Sequence, residues 1–184
     1  FLMGEKNAIS ASAQRGWELF NGQARCNTCH GHVGAVPTFT DNKYHNIGVG
    51  AKQCDFSALA REAQHALQTD NPQIIDELAL KPHFSELGRF LITKEQKDMG
   101  AFKTSGLRNV ELTAPYMHDG SEATLLDVIN FYNKGGENNP FLDGGIRPLN
   151  LTDQEKADLV ELMKTFTSDD LKRFDALKAL MPAQ

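Results

Sequence analysis

The feature that most constrains this chain is the run Cys26-Asn27-Thr28-Cys29-His30, which has the form C-x-x-C-H. That pattern reads as covalent attachment of a c-type haem. Two thiols three positions apart can each form a thioether with a haem vinyl group, and the histidine directly after them is held under the iron as its proximal ligand. A thioredoxin-like redox pair does not need the trailing histidine, and a zinc site needs two further ligands at close spacing. A chain that carries a haem on one turn must fold the rest of itself around that group.

The remaining composition is ordinary for a globular protein with a core. Of the 184 residues, 40% are hydrophobic and 23% charged, so one domain, or one domain with an insertion, is expected. A net charge of −5 argues against nucleic acid or an anionic membrane surface as the main partner. No stretch approaches the length of a membrane span. The chain opens on Phe1 rather than Met, which points to a processed or trimmed product. Haem attachment to C-x-x-C-H takes place outside the bacterial cytoplasm in most known cases, so a periplasmic location is expected. Cys54 has no C-x-x-C partner and reads as a buried free thiol, with an intermolecular bond as the alternative.

Helical spacing of Ile9, Ala13, Gly16, Trp17 and Phe20 predicts a helix from Ser10 to Asn21, capped by Ser10 or Ser12. Gly16 in its middle implies a close helix–helix crossing, and Trp17 reads as a core residue. Residues 31–50 read as a loop folded over the haem, in which His32 and His45 are hydrogen-bonding groups rather than iron ligands. Two helices follow, Phe56 to Gln68 and, after the cap Asp70-Asn71-Pro72, a second to about Leu80. His65 falls on the surface of the first. Residues 85–113 read as irregular structure. Arg89, Lys103 and Arg108 lie there among apolar neighbours, and Arg108 is a candidate for a haem propionate because its fork suits a carboxylate. A helix from about Ala123 to Asn133 is capped by Ser121 and ended by Gly135-Gly136. The capping box Thr152-Asp153-Gln154-Glu155 opens another, with Leu159, Val160, Leu162, Met163 and Phe166 on it. A last amphipathic segment runs from Asp169 to Leu180. The fold class is thus mostly α, a cytochrome c-like domain over residues 1–168 with a helical insertion at 54–82 and a helical tail at 169–184.

With His30 proximal, the opposite face of the iron is open to Met117, His118, Tyr132, Met99, Met163 or water. On the residues alone Met117 leads, because it lies in a Pro-introduced turn and a thioether suits electron transfer. Tyr132 would have to bind as tyrosinate, from an ordinary pKa of about 10.

Several blocks go beyond the haem motif: Leu19-Phe20-Asn21-Gly22, Phe39-Thr40-Asp41, His45-Asn46-Ile47-Gly48-Val49, Gly100-Ala101-Phe102-Lys103-Thr104, Leu107-Arg108-Asn109, the run from Leu112 to Gly120, Thr124-Leu125, and Tyr132-Asn133-Lys134-Gly135-Gly136. In this order the chain resembles the C-terminal haem domain of the bacterial dihaem cytochrome c peroxidases and MauG-type proteins. The resemblance implies Tyr132 as the distal ligand, at the position that is Met in the peroxidases and Tyr in MauG-type proteins, with Met117 as the alternative. It also implies a calcium ion at the backbone carbonyls of Thr113 and Pro115, whose other ligands come from a second domain. The family carries two C-x-x-C-H motifs and this chain carries one. Its expected partners are therefore an N-terminal haem domain or a partner chain with a second, peroxide-reactive haem, and a redox protein as donor or substrate. On that reading this chain alone lacks the peroxide-reactive site. A monohaem electron carrier with Met117 on the iron, and a domain that binds haem for structure, are the competing readings.

Overall fold

The computed structural model describes residues 4–5, 7–34, 37–69 and 71–170. The chain divides into two compact units. The first comprises Phe1–Asp41, Ser105–Asn130 and Asn150–Gln184, and the second comprises Asn42–Thr104 and Phe131–Leu149. In chain order the elements are α1 (Ala11–Asn21), β1 (Tyr44–His45), α2 (Val49–Gln53), α3 (Phe56–Thr69), α4 (Pro72–Ala79), α5 (Phe90–Thr93), β2 (Phe102–Lys103), α6 (Leu125–Asn133) and α7 (Asp153–Lys164), with single 3₁₀ turns between them.

The first unit is built on the crossing of α1 and α7. Ser10 caps α1, its Oγ accepting the Ala13 N–H at 3.1 Å. The capping box of α7 forms as the sequence predicts: Glu155 N–H donates to Thr152 Oγ, and Thr152 N–H donates to the Glu155 carboxylate at 2.7 Å. The helices meet at Gly16, where a Cβ would stand 2.2 Å from the Asp158 carbonyl oxygen, so only glycine allows this approach. Beside it the Asp158 side chain is buried and fully engaged. Arg15 donates to both its oxygens at 2.7 Å, Ser12 donates at 2.5 Å and Gln154 at 3.0 Å. These donors hold its carboxyl down at about 2, the Arg15 bond being the largest cause. Phe20, Leu159, Leu162 and Met163 fill the interface, each buried side chain worth about 1.5–3 kcal/mol against exposure.

In the second unit, α3 buries Phe56, Leu59, Ala60, Ala63 and Ala66 at helical spacing, and Leu78, Leu87, Phe90 and Met99 complete that core. Met99 is fully buried there and acts as core filling. Asn71 caps α4 through Gln73 N–H, with Pro72 in its first turn. Cys54 is a half-buried free thiol packed against this core and donating to Gly50 O, and burial pushes its pKa up.

Three expectations change. The stretch read as loop over 31–50 contains β1, paired antiparallel with β2 (Tyr44 opposite Lys103, His45 opposite Phe102), and the start of α2. A two-residue strand leaves no alternation long enough to read. The cap of α6 is Thr124 rather than Ser121. Thr124 Oγ accepts Asp127 N–H at 3.1 Å while Thr124 N–H donates to the Asp127 carboxylate at 2.9 Å, a reciprocal pair that starts the helix at Leu125. Arg108 is exposed rather than buried, whereas Arg89 is half-buried, bonded to Asp98 and stacked 4.0 Å over the Tyr44 ring. The helix expected from Asp169 to Leu180 falls almost wholly outside the described residues. Among the described residues no helix is long and apolar enough to cross a membrane.

Candidate haem site

Arg25 takes a left-handed conformation (φ 56°) and turns the chain out of α1 into a single 3₁₀ turn, Cys26–Thr28. Cys29 N–H and His30 N–H both return to the Cys26 carbonyl, the second at 2.8 Å. In a 3₁₀ turn residues three apart eclipse, so this backbone puts Cys26 and Cys29 on one side and delivers His30 next to them. All three cysteines are free thiols, and Cys26 and Cys29 are half-buried. Burial pushes the Cys26 thiol up to about 12. That is opposite to the lowered pKa of a reactive redox pair.

His30 is oriented from behind. Its Nδ1 lies 2.8 Å from the Phe39 carbonyl oxygen. A carbonyl only accepts, so Nδ1 carries the proton and Nε2 is the unprotonated nitrogen, the form in which an imidazole binds a metal. Phe39 is itself fixed: it is buried, with φ 54°, stacked on Phe166 at 4.3 Å and edge-on to Phe20 at 6.4 Å. Gly106 passes so close that a Cβ there would meet Thr38 O at 2.8 Å. Two free, half-buried thiols and an oriented imidazole form the donor set that a covalently attached haem requires, with Phe39 as a buried aromatic backing. His32 is committed elsewhere, with Nε2 2.9 Å from Asn21 Oδ1 and its ring 4.6 Å from Trp17.

Tyr132 is half-buried in the last turn of α6. Gly136 N–H donates to Phe131 O and Gly135 N–H to Tyr132 O, both at 3.0 Å, closing a Schellman motif over positive-φ glycines. Met117 is half-buried at φ 69° in the turn bounded by Tyr116 and Glu122, which exchange backbone hydrogen bonds at 2.7 and 3.3 Å. Tyr116 OH donates to Val110 O. Thr113 and Pro115 are exposed, and the Thr113 hydroxyl donates to Val110 O. Arg108 lies with Trp17, Phe39 and Phe166 on a cleft of about 540 Å³ in the first unit, which Cys26, Cys29 and His30 do not line.

Two groups escaped sequence reasoning. The Phe39 carbonyl bears no side-chain signal at all. Asp143, whose carboxylate accepts the His45 Nδ1–H at 2.7 Å, is 98 residues from its partner.

No family model matches the chain. Among curated proteins it is 35% identical over 164 residues to the cytochrome-c peroxidase IdrP1 of Denitromonas iodatirespirans, covering 89% of this chain and 42% of that protein. It is 31% identical over 169 residues to the methylamine utilization protein MauG of Methylorubrum extorquens, covering 92% and 38%. Among solved structures it matches a MauG-like protein associated with microbial copper homeostasis at a TM-score of 0.65 and 33% identity, over 92% of this chain and 50% of that one. The dihaem peroxidase BthA of Burkholderia thailandensis shares the fold, at a TM-score of 0.57 and 21% identity. The chain is thus homologous to the cytochrome c peroxidases and MauG proteins along most of its length, and it spans less than half the length of those curated relatives.

Proposed function

We propose that this chain is the haem c electron-transfer portion of a periplasmic dihaem cytochrome c peroxidase or MauG-like oxidoreductase. The observation that carries this reading is the tether from His30 Nδ1 to the Phe39 carbonyl beside two thiols on one turn. Such outer-shell bonding sets the tautomer and basicity of a metal-bound histidine. When bound, haem supplies one-electron redox chemistry.

The chain's own residues have separate tasks. Cys26 and Cys29 would hold the group by thioethers, and His30 would present Nε2 to the iron while the Phe39 carbonyl orients its ring. Tyr132, as tyrosinate, would be the other protein ligand to the iron, and its anionic oxygen would favour the ferric state. Arg108 offers a fork to a propionate, and the Thr113 and Pro115 carbonyls offer oxygen ligands to calcium. The partner is a domain or chain bearing a peroxide-reactive haem, with which this haem exchanges electrons or oxidising equivalents, and a redox protein serves as donor or substrate.

The test is the absorption spectrum of the ferric protein. We expect no weak Met-to-iron band in the near infrared and a low-spin signature that is lost in Tyr132→Phe. A near-infrared Met band would put Met117 on the iron and make the chain a monohaem electron carrier. A haem stain and mass of the whole protein check the second haem.

A further inference from the structure

Residues 134–149, which follow α6, contain neither helix nor strand, yet they are bound along their whole length. Their ends meet: Leu149 N–H donates to Asn133 O at 3.1 Å, and a Cβ on Gly135 would stand 2.7 Å from Pro148 N. Their middle lies on residues 45–48. Gly136 passes under the Ile47 carbonyl, where a Cβ would be 2.3 Å from the oxygen, and Gly48 passes under Glu137 at 2.1 Å. Buried Asn139 exchanges amide hydrogen bonds with Asn46 at 3.1 and 3.3 Å.

At the far bend Asp143 N–H donates to Asn46 O at 2.9 Å, and the Asp143 carboxylate is shared out. One oxygen accepts Gly145 N–H at 2.8 Å and the other accepts His45 Nδ1–H at 2.7 Å. The loop is therefore closed at the end of α6 and pinned to β1 at its tip. Tyr132 is the last-turn residue whose carbonyl the loop's first glycine caps.

We infer that His45 and Asp143 are positioning residues for Tyr132. Their hydrogen bond fixes the loop, the loop fixes the Schellman turn, and the turn fixes the direction of the Tyr132 phenol. This rests on the reading of Tyr132 as the distal ligand. In this role the pair acts through the backbone it holds.

The experiment uses the haem-loaded ferric protein, titrated with cyanide and followed by absorption, with hydrogen exchange measured at the amides of residues 131–136. Asp143→Ala and His45→Phe are expected to bind cyanide about tenfold more tightly, the lower end of the effect of losing an outer-shell partner. Faster exchange at those amides should accompany it. Asp143→Asn keeps an oxygen for Nδ1–H and should stay near the unmodified protein. His45→Phe carries the test where Asp143→Ala does not load haem.

Tyr132→Phe is the reference that separates the two ideas. If it binds cyanide more tightly while both pair variants match the unmodified protein, the positioning role is overturned and the ligand assignment stands. If Tyr132→Phe changes neither spectrum nor cyanide affinity, the ligand assignment falls and the positioning role with it.

Discussion

The turn that carries Cys26, Cys29 and His30 and the loop that follows Tyr132 solve the same problem by different means. Each holds a candidate ligand still. In the first, the backbone bonds that shape the turn lie within a few residues: Cys29 and His30 return to the Cys26 carbonyl, and the tether from His30 reaches to Phe39. In the second, the bonds run from His45 to Asp143 and from Asn46 to Asn139, separations of 98 and 93 residues. Local bonds reform at small entropic cost, whereas long-range ones depend on the fold being complete. The turn of Cys26, Cys29 and His30 is thus robust, and the loop after Tyr132 is the one a destabilised fold loses first.

The largest expected effect tests the local half. Replacing both Cys26 and Cys29 by Ala should abolish haem staining of the denatured protein, and retained stain would show attachment elsewhere. Next come the two close approaches. Gly16→Ala drives a methyl into the Asp158 backbone and should cost at least about 3 kcal/mol, the top of the range for overpacking a filled interior. Gly136→Ala meets the Ile47 carbonyl at φ 68° and should cost about 2 kcal/mol from a left-handed non-glycine residue alone. Denaturant unfolding of haem-loaded variants measures both. Equal exchange rates at residues 131–136 in Gly136→Ala and in the unmodified protein would break the contrast between the regions.

The smallest effect is the response to acid. Asp158 has a folded pKa held at about 2, so its contribution is present above the ordinary carboxylate range. It is lost as pH falls from about 4 towards 2, because the unfolded chain then binds the proton more readily. Thermal unfolding across that window should show a decline that Asp158→Asn flattens.

Much of the first unit was legible. Ser10, the capping box at Thr152 and Glu155, and the implied crossing at Gly16 are local chemical signals, and each appears where the sequence puts it. The start of α6 was misread because Ser121 and Thr124 are both acceptable caps, and only the reciprocal bond from Asp127 selects between them. β1 and β2 were missed for a related reason: two residues give no period, and their pairing depends on chain 57 to 59 residues away, as Tyr44 opposite Lys103 and His45 opposite Phe102 make plain. Arg108 looked enclosed because its neighbours in sequence are apolar, yet side chains of adjacent residues need not face the same way.

The sequence by itself determined the C-x-x-C-H spacing at Cys26, Cys29 and His30, and the haem reading rests on that spacing because covalent attachment needs only those residue types in that order. It determined most helix ends as well, because caps act within a single turn. Only the tertiary structure decided which nitrogen of His30 carries the proton, and what holds the chain after Tyr132. The first depends on a backbone carbonyl that has no side-chain signature. The second depends on contacts between segments nearly a hundred residues apart, where packing geometry rather than residue type selects the partner.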